Sequence, residues 1–319
     1  MRSASAIAIR HWLQRAVRRW QKFLVFGAIS FAIAIFLTNC AQTSAPNQPT
    51  IAIGSKNFTE QIVLGEILAQ QVEAHTSLAV DRRFNLGGTF ICHEAIKAHE
   101  IDAYVEYTGT AFTAVLKRDP INDAYAIYQQ VKDAYAEQFQ LAVLPPLGFS
   151  NTFALIVRGE DAREFDLETI ADAAPYLENW QAGFGYEFLE RKDGFEGLKA
   201  TYNLTFAKPP KTMDLGLLYR ALTDGQVDLI VANSTDGAIA NLDLVVLQDN
   251  RQYFPPYQAV PVVHQQTLKE YPQLNEVFEQ LSSQISEEEM QELNNQVEGS
   301  HRDPKQVVKK FLQQKGLIP

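Results

Sequence analysis

The sequence has few of the residues that build catalytic or metal centres. Its two cysteines, Cys40 and Cys92, cannot form a cysteine-based metal cluster, and its six histidines do not occur at metal-ligand spacings. Neither a Gly-x-Ser-x-Gly nucleophile elbow nor a phosphate loop of the Gly-x4-Gly-Lys-Ser/Thr type is present. We therefore expect no catalytic residues, no metal and no cofactor, which argues against an enzyme.

Acidic residues are absent from positions 1–39, which contain six Lys and Arg and an apolar run at 23–37. This pattern is typical of a signal peptide. The run ends in LTNCA, which resembles a bacterial lipobox and would make Cys40 a lipidated N-terminus. Asn39 departs from the small residue usual before that cysteine, so an uncleaved membrane anchor is the alternative, although the run is short for a span. Either alternative places the folded part outside the cytoplasmic membrane, on its periplasmic face.

The whole chain has a formal net charge of −10 despite this basic leader. The remainder is therefore strongly acidic, which argues against nucleic acid or anionic lipid as a partner. Residues 40–50 are rich in Ser, Pro, Gln and Asn and read as a flexible tether. Cys92 is most simply a small buried residue.

Three strand-to-helix turns follow one another within about 60 residues, at 54–61, 86–89 and 107–110. Each contains Gly with Ser or Thr, and strands that alternate with helices predict a parallel sheet. Because the carboxyl ends of parallel strands line one crevice, the three turns should face the same cleft. The first turn also precedes a helix N-terminus, which favours an anion. The alternative there is an ordinary helix start capped by Asn57 or Thr59.

A second unit begins near residue 150, with a similar turn at 233–237 and a stiff double proline at 255–256. We expect residues 51–148 and 259–319 to form one lobe and residues 149–258 to form the other. A strand is also predicted at 205–207, and the charged segment 267–317 should be helical.

Two kinds of side chain recur at the predicted strand ends. Lys56 with Asn57, Thr89, Thr110 and Arg191 can hold an anion, whereas Tyr107, Phe153 and Tyr257 offer aromatic faces. A carboxylate can take N–H groups, hydroxyls and a guanidinium. A quaternary ammonium cannot donate hydrogen bonds and would lie over rings. Together they suit a small zwitterion, although each aromatic taken singly can equally be a packing residue.

Seven short motifs follow one another along the chain: GSKNFTEQ at 54–61, NLGGT at 85–89, EYTGT at 106–110, NTFAL at 151–155, RKDGFEGL at 191–198, STDG at 234–237 and FPPY at 254–257. By these motifs, from residue 51 to 317, the chain resembles the substrate-binding proteins of osmoprotectant ABC importers, which take glycine betaine, choline, carnitine or proline betaine.

The resemblance implies an α/β fold, a two-lobed clamp of the type II periplasmic-binding-protein class, with two crossover linkers and a ligand cleft between the lobes. It also implies that Lys56, Thr110 and Arg191 hold the carboxylate and that Tyr107 and Tyr257 cage the ammonium. The polar lining would be Gln61, Thr89 and Asn151.

Two positions depart from the family pattern of four cage tyrosines: Phe153 keeps a ring without its hydroxyl, and Asn233 replaces a ring by an amide. The resemblance then implies weaker betaine binding or a ligand with an extra polar group.

The leading hypothesis is a monomeric, tethered solute receptor that delivers its ligand to a separate ABC permease and ATPase. A sensor of ligand occupancy and an extracytoplasmic enzyme on the same scaffold are the alternatives.

Overall fold

The computed structural model describes residues 48–319, without the side chain of Ala240. Cys40, the leader and residues 40–47 of the tether lie outside the described residues, so predictions about them are not tested. Within 48–319, every helix is too short or too polar to cross a bilayer.

Two five-stranded sheets form the framework. The first has the strand order β2-β1-β3-β10-β4 and the second β7-β6-β8-β5-β9. The strands are β1 Thr50–Lys56, β2 Ala79–Gly87, β3 Ala103–Tyr107, β4 Leu141–Val143, β5 Phe153–Arg158, β6 Ala182–Phe184, β7 Lys211–Thr212, β8 Leu229–Asn233, β9 Leu244–Leu247 and β10 Ala259–His264.

Both sheets are mixed rather than purely parallel as predicted. Strands β1, β2 and β3 are parallel, but β10 runs antiparallel to β3 and β4. Likewise β6 is parallel to β7 and β8, and β5 is antiparallel to β8 and β9. The reversed strands, β5 and β10, are those by which the chain enters one sheet from the other. A parallel pair of strands needs a crossover connection, usually a helix, between two strands of the same sheet. Neither β5 nor β10 follows such a connection, because the preceding strand belongs to the other sheet.

Helices cover these sheets on their faces and ends. They are α1 Thr59–His75, α2 Thr89–Lys97, α3 Thr108–Thr110 with a π-helical turn Ala111–Val115, α4 Ala124–Phe139, α5 Gly159–Phe165, α6 Ile170–Ala173 with a 3-10 turn Ala174–Tyr176, α7 Tyr186–Glu190, α8 Phe195–Tyr202, α9 Leu215–Thr223, α10 Ala238–Asn241, α11 Gln265–Glu270, α12 Gln273–Glu279, α13 Glu287–Glu298 and α14 Pro304–Gln314.

The central helix α1 is buried on several sides, because the first sheet covers one face and the C-terminal helices cover another. Its apolar side chains pack into the main core. Two of its amide nitrogens bond to the C-terminal part of the chain: Gln70 Nε2 donates to Lys305 O at 2.8 Å and Gln71 Nε2 to Gln280 Oε1 at 3.0 Å. These bonds attach the predicted helical tail to α1.

The chain crosses between the sheets twice, and the two crossings lie side by side. Ser150 and Gln258 form an isolated antiparallel bridge. Asn151 N donates to Tyr257 O at 3.0 Å, and Ala259 N donates to Phe149 O at 3.2 Å. The two-lobed clamp with paired crossings is thus confirmed, while the residues at which one lobe gives way to the other stay a prediction.

One local prediction is wrong, and one helix was not predicted. The strand expected at 205–207 is absent, and the corresponding strand is the short β7 further along. Helix α5 was not predicted, because seven residues rich in charge carry too little periodicity to stand out.

Gly148 provides a test of the crossing geometry. Its φ is +123°, and a Cβ there would lie 2.6 Å from Ile285 O. We expect Gly148→Ala to lower the free energy of unfolding by about 1–3 kcal/mol, because the backbone would be strained and the carbonyl would have to move.

The measurement is urea unfolding, and Gly216→Ala is the matched control. A Cβ at Gly216 meets no heavy atom within 4 Å and lies in α9, so that variant should be neutral or more stable. Equal stabilities of the two variants would contradict the strain at Gly148.

Candidate functional site

A cavity of about 190 Å³ lies between the two sheets, at the carboxyl ends of β1 and β3. The three predicted turns of the first sheet all contribute to its wall, as do residues of β8 and of the second crossing. Ten of the eleven predicted ligand contacts line it: Lys56, Asn57, Thr89, Tyr107, Thr110, Asn151, Phe153, Arg191, Asn233 and Tyr257. Their common location is a structural fact, and their contact with a ligand stays a prediction.

Gln61 is the predicted contact that does not line the cavity. It is buried, and its Oε1 accepts from Lys56 N at 3.4 Å. It therefore supports the turn from behind. Helix α1 begins at Thr59 with Phe58 as its N-cap and no side-chain cap bond, so the prediction of an Asn57 or Thr59 cap is wrong.

Lys56 ends β1 and is almost completely buried. Its Nζ lies 2.5 Å from Glu106 Oε1, and Glu106 is buried as well. The same Nζ lies 5.1 Å from the ring centroid of Tyr107. Because one carboxylate uses one donor of three, the ammonium keeps hydrogens for a further acceptor.

Arg191 follows α7 and forms a bidentate pair with Asp193. The distances are 2.9 Å from Nε to Oδ1 and 2.6 Å from Nη2 to Oδ2. Burial by itself would raise the pKa of Asp193, but the adjacent guanidinium and the hydroxyl of Tyr257 hold it below its ordinary value. The pair is therefore ionised and rigid.

The aromatic residues lie near Arg191 and Lys56. The rings of Phe153 and Tyr257 have centroids 5.9 Å apart at an interplanar angle of 74°. The Arg191 guanidinium lies 4.8 Å from the Phe153 centroid and 5.8 Å from that of Tyr257. Each of the three rings, including Tyr107, thus already has a cation within cation–π distance.

Both tyrosines of the cavity wall for which a cage role is predicted, Tyr107 and Tyr257, donate their hydroxyls to buried carboxylates. Tyr107 Oη donates to Glu60 Oε1 at 2.5 Å, and Tyr257 Oη donates to Asp193 Oδ2 at 2.5 Å. Burial is the largest cause that raises the pKa of each phenol well above its ordinary value, so both are neutral donors. Two rings are thereby fixed by charge-assisted bonds.

Asn233 and Phe153 are direct partners in the β5–β8 register. The Asn233 backbone N–H and side-chain amide both donate to Asp236, at 3.1 and 3.3 Å. Burial raises the pKa of Asp236 to about 7, with a smaller contribution from Glu298. The amide at the departing cage position is therefore held by a carboxyl group that titrates near neutrality.

The first and second sheets meet at Gly88 and Glu187. A Cβ on Gly88 would lie 2.1 Å from Glu187 Oε1, which belongs to α7. This close approach closes the cavity on that side, next to Thr89 at the start of α2.

Four carboxyl groups beside the cavity were not predicted: Glu60, Glu106 and Asp193, which are buried, and Asp236, which is half-buried. All of them lie inside, or next to, the sequence words that also contain the predicted contacts. In a chain with 38 acidic residues no local signal singled them out.

Comparisons with known proteins agree with this geometry. Residues 49–314 match the family described as the substrate binding domain of ABC-type glycine betaine transport systems. The chain is 35% identical over 306 residues to the ergothioneine transport permease/ergothioneine binding protein EgtU of Helicobacter pylori, covering 95% of this chain but only 54%, about half, of that protein.

It is 32% identical over 298 residues to the carnitine transport binding protein OpuCC of Listeria monocytogenes, covering 92% of this chain and 96% of that one. A crystal structure of a glycine betaine/carnitine/choline ABC transporter superposes with a TM-score of 0.70 at 31% identity, over 84% of this chain and 99% of that one. The chain therefore belongs to the family of substrate-binding domains of ABC-type glycine betaine transport systems.

Proposed function

We propose that this chain is the extracytoplasmic receptor of an ABC importer, which binds a small quaternary-amine zwitterion and delivers it to the permease. The observation that carries the proposal is the combination, in one cavity, of three aromatic rings with a buried Lys56 and Arg191. The rings suit an ammonium that cannot donate hydrogen bonds, and the two cations with Thr110 suit a carboxylate.

The charge balance of the cavity also supports an amine ligand. Lys56 and Arg191 are already paired with Glu106 and Asp193, so neither contributes an uncompensated positive charge. Glu187 and Asp214 add carboxylates to the cavity wall. A ligand with a net negative charge would meet an unfavourable potential, whereas a zwitterion or a cation would not.

We further propose that the ligand carries a polar arm beyond the betaine core. Asn233 faces the cavity beside Phe153, in the region that also contains Glu187 and Asp214. Glu187 and Asp214 can accept hydrogen bonds from such an arm. The Asn233 amide, which Asp236 already holds through Nδ2, keeps its oxygen as a further acceptor. Ergothioneine and carnitine, named for two relatives, are therefore the first ligands to test.

Several further features belong to the same proposal. The chain acts as a monomer without catalysis, is attached by a lipid at Cys40 or by its uncleaved leader, and works with a separate permease and ATPase. A sensing role is compatible with the same site.

Calorimetry of the purified protein tests the ligand class directly. We expect binding of glycine betaine, choline, carnitine, proline betaine and ergothioneine, with the arm-bearing compounds tighter than glycine betaine. Amino acids with primary amines should bind at least tenfold more weakly, because rings do not replace the hydrogen bonds of their ammonium groups. A primary-amine amino acid that bound best would contradict the proposal.

Position 233 provides a second test. Asn233→Tyr adds a ring, which should tighten glycine betaine by about 2- to 30-fold, the equivalent of about 0.5–2 kcal/mol. It should at the same time weaken an arm-bearing ligand. Asn250→Tyr, in an exposed turn outside the cavity lining, is the control and should change neither affinity. Unchanged affinities in Asn233→Tyr would mean that the side chain does not reach the ligand.

Gly109 offers a third test, because it lies against the second crossing. A Cβ there would lie 2.6 Å from Tyr257 Cδ1 and 2.7 Å from Pro256 O. Gly109→Ala should displace the ring of Tyr257 and weaken quaternary amines by about 5- to 150-fold. Gly216→Ala is again the control. Wild-type affinity in Gly109→Ala would show that Tyr257 is not part of the ammonium cage.

A further inference from the structure

Glu60 is a buried carboxylate in the first turn of α1, and only 1% of its surface is exposed. None of the ion pairs found between residues 48 and 319 includes it. Its partners are instead four hydrogen-bond donors. Oε1 accepts from Tyr107 Oη at 2.5 Å and from Asn151 Nδ2 at 2.8 Å, and Oε2 accepts from Thr235 Oγ1 and from Asn294 Nδ2 at 3.0 Å.

These four donors come from four different parts of the fold. Tyr107 ends β3 in the first sheet, Asn151 lies on a crossing, Thr235 follows β8 in the second sheet, and Asn294 lies in α13. The same turn of the second sheet rests on α13, where Asn294 Nδ2 also donates to Thr235 O at 2.8 Å. Glu60 is thus the point at which both lobes and a crossing meet.

The bonds to Glu60 favour its ionised form. Burial is the largest influence and raises the pKa of Glu60 above its ordinary value, and the bonds from Thr235, Tyr107, Asn151 and Asn294 counteract part of this rise. The N-terminus of the 17-residue α1 adds a favourable dipole. Four donors point at its two oxygens, and both oxygens therefore act only as acceptors, as in an ionised carboxylate.

The second cage tyrosine shows why Glu60 differs from an ordinary anchor. Tyr257 also donates to a carboxylate, but Asp193 is neutralised by Arg191. Glu60 has no such cation, so its charge acts through the Tyr107 hydroxyl on the ring and on whatever lies over it. Hydrogen bonding to an anion makes a phenol ring richer in electrons and a better partner for a cation.

We propose that Glu60 is a positioning residue that makes the ammonium cage depend on lobe closure. It fixes and polarises the Tyr107 ring, and it completes its own hydrogen bonds only when Thr235 of the second lobe reaches it. Opening the lobes would withdraw Thr235 and leave a buried carboxylate less satisfied, so the closed arrangement and the finished cage form together. The cage part of this inference rests on the proposed function, and the closure part does not.

The first experiment separates charge from shape. Choline and 3,3-dimethylbutan-1-ol have the same shape, but only the first carries a positive charge, and neither has a net negative charge. We expect Glu60→Gln to weaken choline by about tenfold to a hundredfold and to change 3,3-dimethylbutan-1-ol by less than about threefold. A purely structural role would weaken both probes equally, and that result would overturn the cage part.

Glu66→Gln is the matched control. Glu66 is a buried carboxylate on the same helix, bonded to Arg82 and Gln70 and not part of the cavity wall. Glu66→Gln should lower the free energy of unfolding without changing the ratio of the affinities for the two probes.

A double variant tests whether Glu60 acts through Tyr107. Tyr107→Phe keeps the ring and removes the bond to Glu60. In the Glu60→Gln/Tyr107→Phe double variant the losses should be less than multiplicative, and fully multiplicative losses would mean that the two residues act separately.

The second experiment needs no ligand. Small-angle X-ray scattering of the ligand-free protein should give a larger radius of gyration for Glu60→Gln and for Thr235→Val than for the wild type and Glu66→Gln. Unchanged radii in both variants would overturn the closure part. If the wild type bound no quaternary amine, the proposed function would fail, and this measurement would still decide whether Glu60 holds the lobes together.

Discussion

Burying a charge between two packed sheets costs several kcal/mol unless the protein supplies its partners, and several such charges lie in or beside the cavity. Two kinds of partner satisfy them. Lys56 is paired with Glu106 and Arg191 with Asp193, whereas Glu60 has only neutral donors among residues 48–319. The partners hold the cations and the two tyrosine rings in fixed positions before any ligand arrives, which reduces the ordering that binding would require.

The two crossings are the segments about which the lobes can rotate. They run side by side, joined through the bridge between Ser150 and Gln258, and they contribute Asn151 and Tyr257 to the cavity. A rotation of the lobes about these segments would change the distances across the cleft while leaving each sheet intact. Side chains on the crossings would move least. The contacts between Gly88 and Glu187 and between Glu60 and Thr235 join opposite lobes, so their distances would change with the rotation.

The family to which the chain belongs explains the clamp and its cleft, but relatives of similar identity are named for different ligands. The difference therefore lies in a few positions of the wall. Phe153 and Asn233, which are paired across β5 and β8, both line the cavity. One offers a ring face and the other an amide, so an aromatic and a polar part of the wall lie side by side.

The sequence by itself determined the parallel core of the first sheet and the meeting of its three turns, because chain direction and strand order follow from short connections. It also indicated Lys56, Arg191 and the aromatic residues, whose types stand out at strand ends. The antiparallel direction of β5 and β10 and the partners of Glu60 were decided only by the tertiary structure. Glu60 and Asn294 are separated by 234 positions in the sequence. In the sequence, Glu60 cannot be told from other glutamates near a helix start, because only folding buries it. Burial is a property of the packed whole, so the residues that owe their role to burial could not be read from their neighbours in the chain.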